Sequence, residues 1–545
     1  MSRIPDRNAV GQPLCLFALT ALAIGVAWWW LGAPVALPPS PLAPGEKLYC
    51  VSYAPFRDGQ DPLVEGTMVA PSQIDEDLAL LSRYSDCVRT YSIENGLDKV
   101  PEIARRYGLK VLHGVWLSNQ AEKNRRQIAT SIELAKKYPD VIRAVIVGNE
   151  VLLRGEMSAT DLMAIIREVK SQITQPVTYA DVWEFWLRYP DLQNAVDFVT
   201  IHILPYWEDF PLPASLAAAH VDAIRKRVAA AIPNKEIVIG EVGWPSAGRM
   251  RESARPSPAN QARVIEETLA LGKRENFRVN VIEAFDQPWK RWLEGSVGGH
   301  WGIFDRAIKA PKFTFGGAVS DHPYWVMQAL AGMLLSGLTF GAALIAGRGR
   351  SPTPRLWPRI TALALLPAVL FGWTIETVPI ESYSLGGWLR SLAFAVTAAA
   401  APIVCAAACA AGRALPTFAA LLGRSGARRD ALSTAFGSVF IVLVLLAVQA
   451  AFGLVFDPRY RDIDFAPLSA AVVPFLVLMF STPRKSEVRP AGSRAMAETT
   501  AAAVLAASAV YIVINETFAN WQAVWFCAAL IGLGFILVRA RDAPG

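Results

Sequence analysis

The chain has 545 residues, 53% of them hydrophobic, and a formal net charge of +6. Its mean hydropathy of +0.30 is too high for an ordinary soluble protein, and the apolar excess is concentrated beyond about residue 320. The surplus basic residues lie in short loops between apolar runs, with no basic stripe interleaved with stacking aromatics, which excludes a nucleic-acid partner. The six cysteines form no Cys-x-x-Cys pair, which excludes a cysteine-held metal.

In chain order, residues 1–12 form a short N-terminal stretch. An apolar run over 13–37, with Trp28, Trp29 and Trp30 near its outer end, is long enough to cross a bilayer. Pro38-Pro39-Ser40-Pro41 follows without a small-x-small cleavage site, so the run reads as an uncleaved anchor rather than a signal peptide. Residues 38–44 make a Pro-rich linker, and 45–320 have globular composition with roughly balanced charge.

Inside that block, apolar runs rich in Val and Ile alternate with helical stretches. The predicted strands are Leu48–Tyr53, Cys87–Tyr91, Lys110–Trp116, Ala144–Asn149, Val177–Val182, Phe198–Ile203, Glu236–Glu241 and Val281–Phe285. Continuous apolar runs suit strands buried on both faces of a parallel sheet. The segments Asn124–Tyr138 and Ala159–Ile173 carry apolar residues at helical spacing. Eight such alternations predict an α/β fold, a (β/α)8 TIM barrel, rather than an open doubly wound sheet. No glycine-rich phosphate loop follows the first strand, so a nucleotide-binding fold finds no support. Cys50 and Cys87 each open a predicted strand. The narrow geometry that a disulfide requires favours two buried thiols, with a disulfide as the alternative.

Residues 321–545 read as an all-α, polytopic membrane region of about seven helices. The spans are near 323–346, 359–377, 388–411, 433–456, 466–481, 498–515 and 519–538, with 466–481 short and interrupted by Pro474. Arg3 and Arg7, then Arg348, Arg350, Arg355 and Arg359, then Arg413, Arg424, Arg428 and Arg429, then Arg484, Lys485, Arg489 and Arg494, then Arg539 and Arg541 all fall on one side of eight spans. By the positive-inside rule that side is the cytoplasm. Glu376, Glu381, Asp457, Asp462, Asp464 and Glu516 fall opposite, with Arg390, Arg459 and Arg461 as exceptions. The block 45–320 then lies outside. Gln449, Asn515 and Glu516 are polar groups in or beside spans.

In a barrel of this kind the active site lies at the C-terminal strand ends. The fourth strand ends in Asn149-Glu150 and the seventh in Gly240-Glu241. Glycoside cleavage needs a proton donor for the leaving oxygen and a second carboxylate across the bond, ~5–5.5 Å away when configuration is retained. Converging strand ends bring two such residues together across the long sequence gap. The donor has to hold its proton near neutral pH, and the nucleophile has to be ionised. Glu150 is therefore read as acid/base and Glu241 as nucleophile. A lone strand-end Glu is more often structural; two, in these local sequences, point to catalysis. Asn149 is placed to bond a sugar hydroxyl, and Tyr206 to hold the nucleophile's carboxylate. Trp116, Trp183, Trp186, Trp207, Trp244 and Trp289 are candidates for sugar stacking or for core. Tyr53, Trp244, Glu283, Asp286, Lys290 and Trp301 complete the candidate substrate contacts. His202 reads as a satisfied core side chain, and Lys290 alternatively as a solvated amine.

The runs Val147-Gly148-Asn149-Glu150 and Ile239-Gly240-Glu241-Val242-Gly243-Trp244-Pro245-Ser246 resemble glycoside hydrolase family 17, the β-1,3-glucanases and β-1,3-glucanosyltransferases. Val88-Arg89-Thr90-Tyr91, Leu204-Pro205-Tyr206, Phe285-Asp286-Gln287-Pro288-Trp289-Lys290 and His300-Trp301-Gly302-Ile303-Phe304 stand in the order that resemblance leads one to expect. It implies a retaining mechanism, the same two roles for Glu150 and Glu241, a β-linked glucan substrate and no cofactor or metal. Gln287 and Pro288 depart from the plant form of their motif. With its membrane half, the chain resembles bacterial membrane-bound members that remodel periplasmic β-glucan by transglycosylation. The architecture adds membrane lipid and a glucan synthase as expected partners. Hydrolysis and a non-catalytic glucan-binding scaffold are the alternatives. A synthase using nucleotide sugars is disfavoured, because the carboxylates lie outside, where such donors are not expected.

Overall fold

In the computed structural model, residues 8–305, 307, 309–350, 353–413, 430–481 and 496–540 are described. Arg3, Arg7, Arg424, Arg428, Arg429, Arg484, Lys485, Arg489, Arg494 and Arg541 lie outside them. The chain divides into two compact units, Pro34–Val319, and Met1–Ala33 together with Ser320–Gly545.

The first unit is a closed barrel of eight parallel strands in sequential order. They are β1 (Cys50–Ser52), β2 (Cys87–Arg89), β3 (Lys110–Val115), β4 (Ile142–Asn149), β5 (Val177–Val182), β6 (Val199–His202), β7 (Ile237–Val242) and β8 (Val279–Val281). The TIM-barrel expectation holds. Nearly every strand residue is buried, as expected where helices cover the outside and side chains fill the inside. The helix over Ala159–Gln172 shows how the outer layer is built. Ser158 caps it by accepting from the Asp161 N–H at 3.1 Å, and Leu162, Ile166 and Val169 form the buried stripe. Each of those side chains contributes about 1.5–3 kcal/mol by burial, and losing the Ser158 cap costs ~1 kcal/mol.

Two sequence expectations change here. The last strand is Val279–Val281, not Val281–Phe285. The apolar run continues through Phe285, but the backbone leaves the ladder after Val281. The Glu283 N–H donates to the Trp301 carbonyl at 3.2 Å and the Ala284 N–H to the Ser52 carbonyl at 2.9 Å. Cys50 and Cys87 are joined in a disulfide, against the reading as free thiols. Val51 pairs with Val88, so the cysteines face each other across β1 and β2 with Cα atoms 4.4 Å apart. That close register meets the geometric demand the sequence alone left open.

A second, two-stranded sheet closes the unit: Val35 pairs with Val319 and Ala36 with Ala318, antiparallel. The anchor run was expected to reach residue 37. The helix instead covers Asn8–Leu31, and Pro34, which cannot donate to a helix ladder, separates it from this strand.

Among its described residues, the second unit holds seven helices long and apolar enough to cross a membrane: Gly11–Leu31, Trp325–Ala346, Leu356–Glu381, Ser384–Ala410, Ala431–Phe456, Met496–Glu516 and Trp521–Arg539. Phe465–Ser481 is shorter, contains Pro474 and is buried almost all round. A helix that is apolar on every face and hidden is the inner member of a bundle. Gly332 lets its neighbour approach, since a Cβ there would lie 2.6 Å from the Ala368 carbonyl oxygen. Arg390, an exception to the charge pattern, is paired with buried Asp464 at 2.7 Å. Glu516 accepts from Asn520 at 2.7 Å.

Candidate active site

Three strand ends bring Glu150, His202 and Glu241 together, and one ligand atom from each lies within 4.8 Å of the others. Glu241 stands on β7 and is 4% exposed. Its Oε1 accepts from Arg89 Nη1 at 2.7 Å and from the Tyr91 hydroxyl at 2.9 Å. Burial pushes the Glu241 pKa up, but the charges of His202, Arg89 and Lys290 and the Tyr91 hydrogen bond outweigh it and hold it below the usual carboxylate range. An ionised, well-directed carboxylate results. The Tyr91 phenol is correspondingly raised, first by burial and then by the Glu241 charge.

Arg89 organises the floor. Its Nη1 also donates to the Gly240 carbonyl at 2.9 Å, and its Nη2 donates to Asn149 Oδ1 at 2.5 Å. A 1% exposed arginine on a barrel strand is costly unless its charge is matched, and Glu241 matches it. Ser52 Oγ lies 3.0 Å from the Tyr91 oxygen, whose single proton goes to Glu241, and accepts from Asn280 Nδ2 at 2.8 Å, so β1, β2 and β8 all brace the neighbours of Glu241.

Glu150 lies just past β4, its backbone at φ 53°, with its side chain 23% exposed. Its Oε1 meets His202 Nδ1 at 2.7 Å. His202 Nε2 faces the donor Arg89 Nη2 at 3.3 Å and Glu241 Oε1 at 3.5 Å. Nδ1 is therefore the ring nitrogen placed to donate to Glu150, and Nε2 the one that faces Arg89 and Glu241. His202 is thus a buried histidine, as expected, and also the link between the two carboxylates.

Behind the pair stands a second charged group. Lys290 Nζ donates to Glu283 Oε1 at 3.1 Å. Burial lowers the Lys290 pKa, but Glu283, Glu294 and Glu241 outweigh it and hold it above its ordinary value. Burial raises Glu283 to about 7 against the pull of Lys290. Glu294 is also raised to about 7, first by burial, then by the Glu150 and Glu241 charges, with Lys290 opposing. Glu283 Oε2 and Trp301 Nε1 are buried with no hydrogen-bond partner among the described residues. A sugar hydroxyl, which both donates and accepts, suits such a pair chemically.

Other candidates are engaged elsewhere. The Tyr206 hydroxyl donates to the Arg249 carbonyl at 2.8 Å, and the phenol on the Glu241 carboxylate is Tyr91. Trp244 is fully buried, its Nε1 donating to the Arg255 carbonyl. Tyr53 is fully buried on Asp77. Asp286 holds Lys312 and the Gly302 N–H, at 2.7 and 3.0 Å. Trp186 bonds the Thr200 carbonyl, Trp183 bonds Glu208, and Trp289 bonds Gln287. Trp116 lies under the Arg154 guanidinium, and Trp207 stacks on Trp301 with ring centroids 6.5 Å apart.

Sequence reasoning gave no role to Arg89, Tyr91, Asp181 or Glu294. A strand-borne arginine beside Val88 was the available signal for the first, because arginine is almost never fully buried without a partner. Glu150, His202 and Glu241 offer metal-type ligand atoms, but the Arg89 guanidinium already occupies Glu241 Oε1 and opposes a cation there.

Residues 50–302 match the BtgE/BtgC glycoside hydrolase domain. The chain is similar to the "Probable beta-glucosidase btgE" of Aspergillus flavus, 29% identical over 264 residues, covering 47% of this chain and 42% of that protein. It thus spans less than half the length of that relative. It is also similar to the "Glucan 1,3-beta-glucosidase BGL2" of Candida albicans, 26% identical over 270 residues, covering 45% of this chain and 87% of that one. Among solved structures, a glycoside hydrolase family 17 beta-1,3-glucanosyltransferase from Rhizomucor miehei aligns with 23% identity and a TM-score of 0.43, covering 49% of this chain and 95% of the other.

Proposed function

We propose that the barrel, a glycoside hydrolase domain over residues 50–302, cleaves and rejoins β-1,3-glucan with retention of configuration. The observation that carries this reading is the closeness of Glu150 and Glu241, within 4.8 Å through their nearest ligand atoms. That matches the ~5–5.5 Å of a retaining pair and leaves no room for the water an inverting pair needs between them. Arg89 and Tyr91 bond Glu241 and favour its ionised form.

In this mechanism Glu241 attacks the anomeric carbon while Glu150 gives its proton to the departing glycosidic oxygen. The carbon–oxygen bond breaks, a glucosyl ester forms on Glu241, and the shortened chain leaves as an alcohol. Glu150, now a carboxylate, takes the proton of an incoming hydroxyl whose oxygen displaces Glu241. A glucan hydroxyl makes a new glycosidic bond; water completes hydrolysis. Asn149, Glu283, Lys290 and Trp301 are the proposed sugar contacts. We place the protein in a bacterial inner membrane, multi-pass, with the barrel outside the cytoplasm. The arginine pattern of the loops and the Cys50–Cys87 disulfide support that side. Membrane lipid and a glucan synthase are the proposed partners beside the glucan, on architecture alone.

The test uses the full chain in detergent micelles with β-1,3-gluco-oligosaccharides, sizing products by mass spectrometry beside Glu241→Gln. Products longer than the substrate, absent from the variant, are expected. Only shorter products would make the protein a hydrolase, and no turnover by folded protein would defeat the reading.

A further inference from the structure

Glu150 adopts a positive φ of 53°. For a residue with a side chain this conformation costs of order 1–3 kcal/mol, and it persists only where its surroundings impose it. Those surroundings come largely from the neighbouring strand β5. The Glu150 N–H donates to the Ala180 carbonyl at 2.8 Å. The amides two and three residues further on reach side chains of the same strand. The Leu152 N–H donates to the Tyr179 hydroxyl at 3.0 Å, and the Leu153 N–H points to Asp181 Oδ2 at 3.4 Å. The Tyr179 hydroxyl in turn donates to Asp181 Oδ2, and Asp181 Oδ1 accepts from the Val182 N–H at 2.7 Å.

The approach from β4 is shaped by the same tyrosine. Gly148 has φ 92°, and a Cβ there would lie 2.8 Å from Val151 Cγ2 and 3.2 Å from Tyr179 Cε2. On the opposite side the turn is held by Arg154. Its backbone N–H donates to the Glu150 carbonyl at 2.9 Å, its Nη2 to the Leu117 carbonyl at 2.8 Å, and its guanidinium lies 4.1 Å from the Trp116 ring centre. Tyr179 and Asp181 are both fully buried. A buried aspartate is costly to desolvate, and packing alone does not call for one. The hydrogen bonds of Asp181 go to the Glu150 turn, to Tyr179 and to its own strand end.

We propose that Tyr179 and Asp181 are a positioning pair for Glu150, clamping the turn Glu150–Gly155 so that the carboxyl meets the departing glycosidic oxygen. This rests on the reading of Glu150 as acid/base. Tyr179 and Asp181 touch no substrate and act through the turn. Glu241 takes its hydrogen bonds from other residues, Arg89 on β2 and Tyr91 just beyond it. Loosening the clamp therefore weakens proton donation and leaves nucleophilic attack intact. Proton transfer demands hydrogen-bond reach, and a misplacement of about 1 Å costs up to ~10²-fold.

The consequence depends on the leaving group. A glucosyl leaving group needs the proton; a dinitrophenolate departs without it. The experiment measures kcat/KM, which reports the first bond cleavage, for the full chain in detergent on a β-1,3-gluco-oligosaccharide and on its dinitrophenyl β-glycoside. The variants are Asp181→Asn and Tyr179→Phe, with Glu150→Gln as reference. Tyr179→Phe keeps the ring beside Gly148 and removes only the hydroxyl, so it serves if Asp181→Asn fails to fold. Both variants are expected to lose about 10–100-fold on the oligosaccharide and almost nothing on the aryl glycoside, following Glu150→Gln. Equal loss on both substrates would mean a general loosening of the barrel and overturn the proposal, as would full activity on both. If Glu150→Gln itself shows no dependence on the leaving group, the acid/base reading fails first, and that failure is distinct from one confined to Tyr179 and Asp181.

Discussion

The two units of this chain satisfy buried polar groups in opposite ways. In the barrel, polar side chains find partners far away in sequence: Arg89 reaches Glu241 across 152 positions and Asn149 across 60. In the helical unit, several hydroxyls bond the carbonyl four residues back in their own helix. Thr20, Thr339, Thr374, Thr397 and Ser481 all do so. Longer-range polar pairs there, Arg390 with Asp464 and His322 with Glu376, stand near helix ends. A helix meets its backbone needs alone, and a hydroxyl that bonds locally is silenced where lipid offers no alternative. A barrel interior instead lets distant residues converge, and convergence is what a two-carboxylate reaction needs.

The sharpest way to break this contrast is to remove a converging group. Arg89→Met leaves Glu241 buried without its cation. A loss of about 3–5 kcal/mol of stability is expected, together with a roughly 10²–10³-fold fall in kcat as the Glu241 charge loses its support. Full activity in this variant would show that Arg89 does not set the site. A substitution in the other unit should separate the two roles. Phe440 is fully buried and its ring lies 5.2 Å from that of Phe475. Phe440→Ala is expected to cost about 3–5 kcal/mol, read as a lower melting temperature in detergent, with glucan turnover by the folded protein unchanged. A lost activity at unchanged melting temperature would contradict the division.

The smallest expected effect is on pH dependence. Glu283 is raised from the ordinary 4.5 to about 7 by burial, so its folded form holds a proton the unfolded chain releases. Its contribution to stability is complete below about 4.5 and is lost as pH rises through about 7. Glu294 and Asp181, raised to about 7 and about 6, act with the same sign. Glu283→Gln should therefore make the decline in melting temperature between about pH 5 and pH 8 shallower by a few degrees, with the other two carboxyls sustaining the remainder. An unchanged slope would remove Glu283 from this account.

The strands and the carboxylate pair were legible because each has a local signature. Buried parallel strands read as unbroken Val and Ile, and Glu150 and Glu241 terminate two of them. What depends on register or direction was not legible. Tyr206 and Tyr91 are both aromatic hydroxyls close to strand ends, and only the fold shows which phenol meets Glu241. Cys50 and Cys87 required the pairing of Val51 with Val88 to become neighbours. The eighth strand was displaced because hydropathy continues through Phe285 while the backbone turns to bond Trp301 and Ser52. In the helical unit, hydropathy located every described span but carried no chemistry, since apolar runs differ little from one another. The run over Phe465–Ser481 looked least secure as a span because it is short and contains Pro474, and it is buried on nearly every face.

The small sheet formed by Val35–Ala36 and Ala318–Val319 has a modular consequence. Paired antiparallel strands keep their Cα atoms about 4.5–5.5 Å apart, so the chain enters and leaves the barrel at a single point. A unit whose ends coincide can be inserted into a host chain, or cut out of it, at the expense of one short loop. The barrel is a cassette bracketed by one strand pair, and its ancestry and that of the flanking helices are free to be separate.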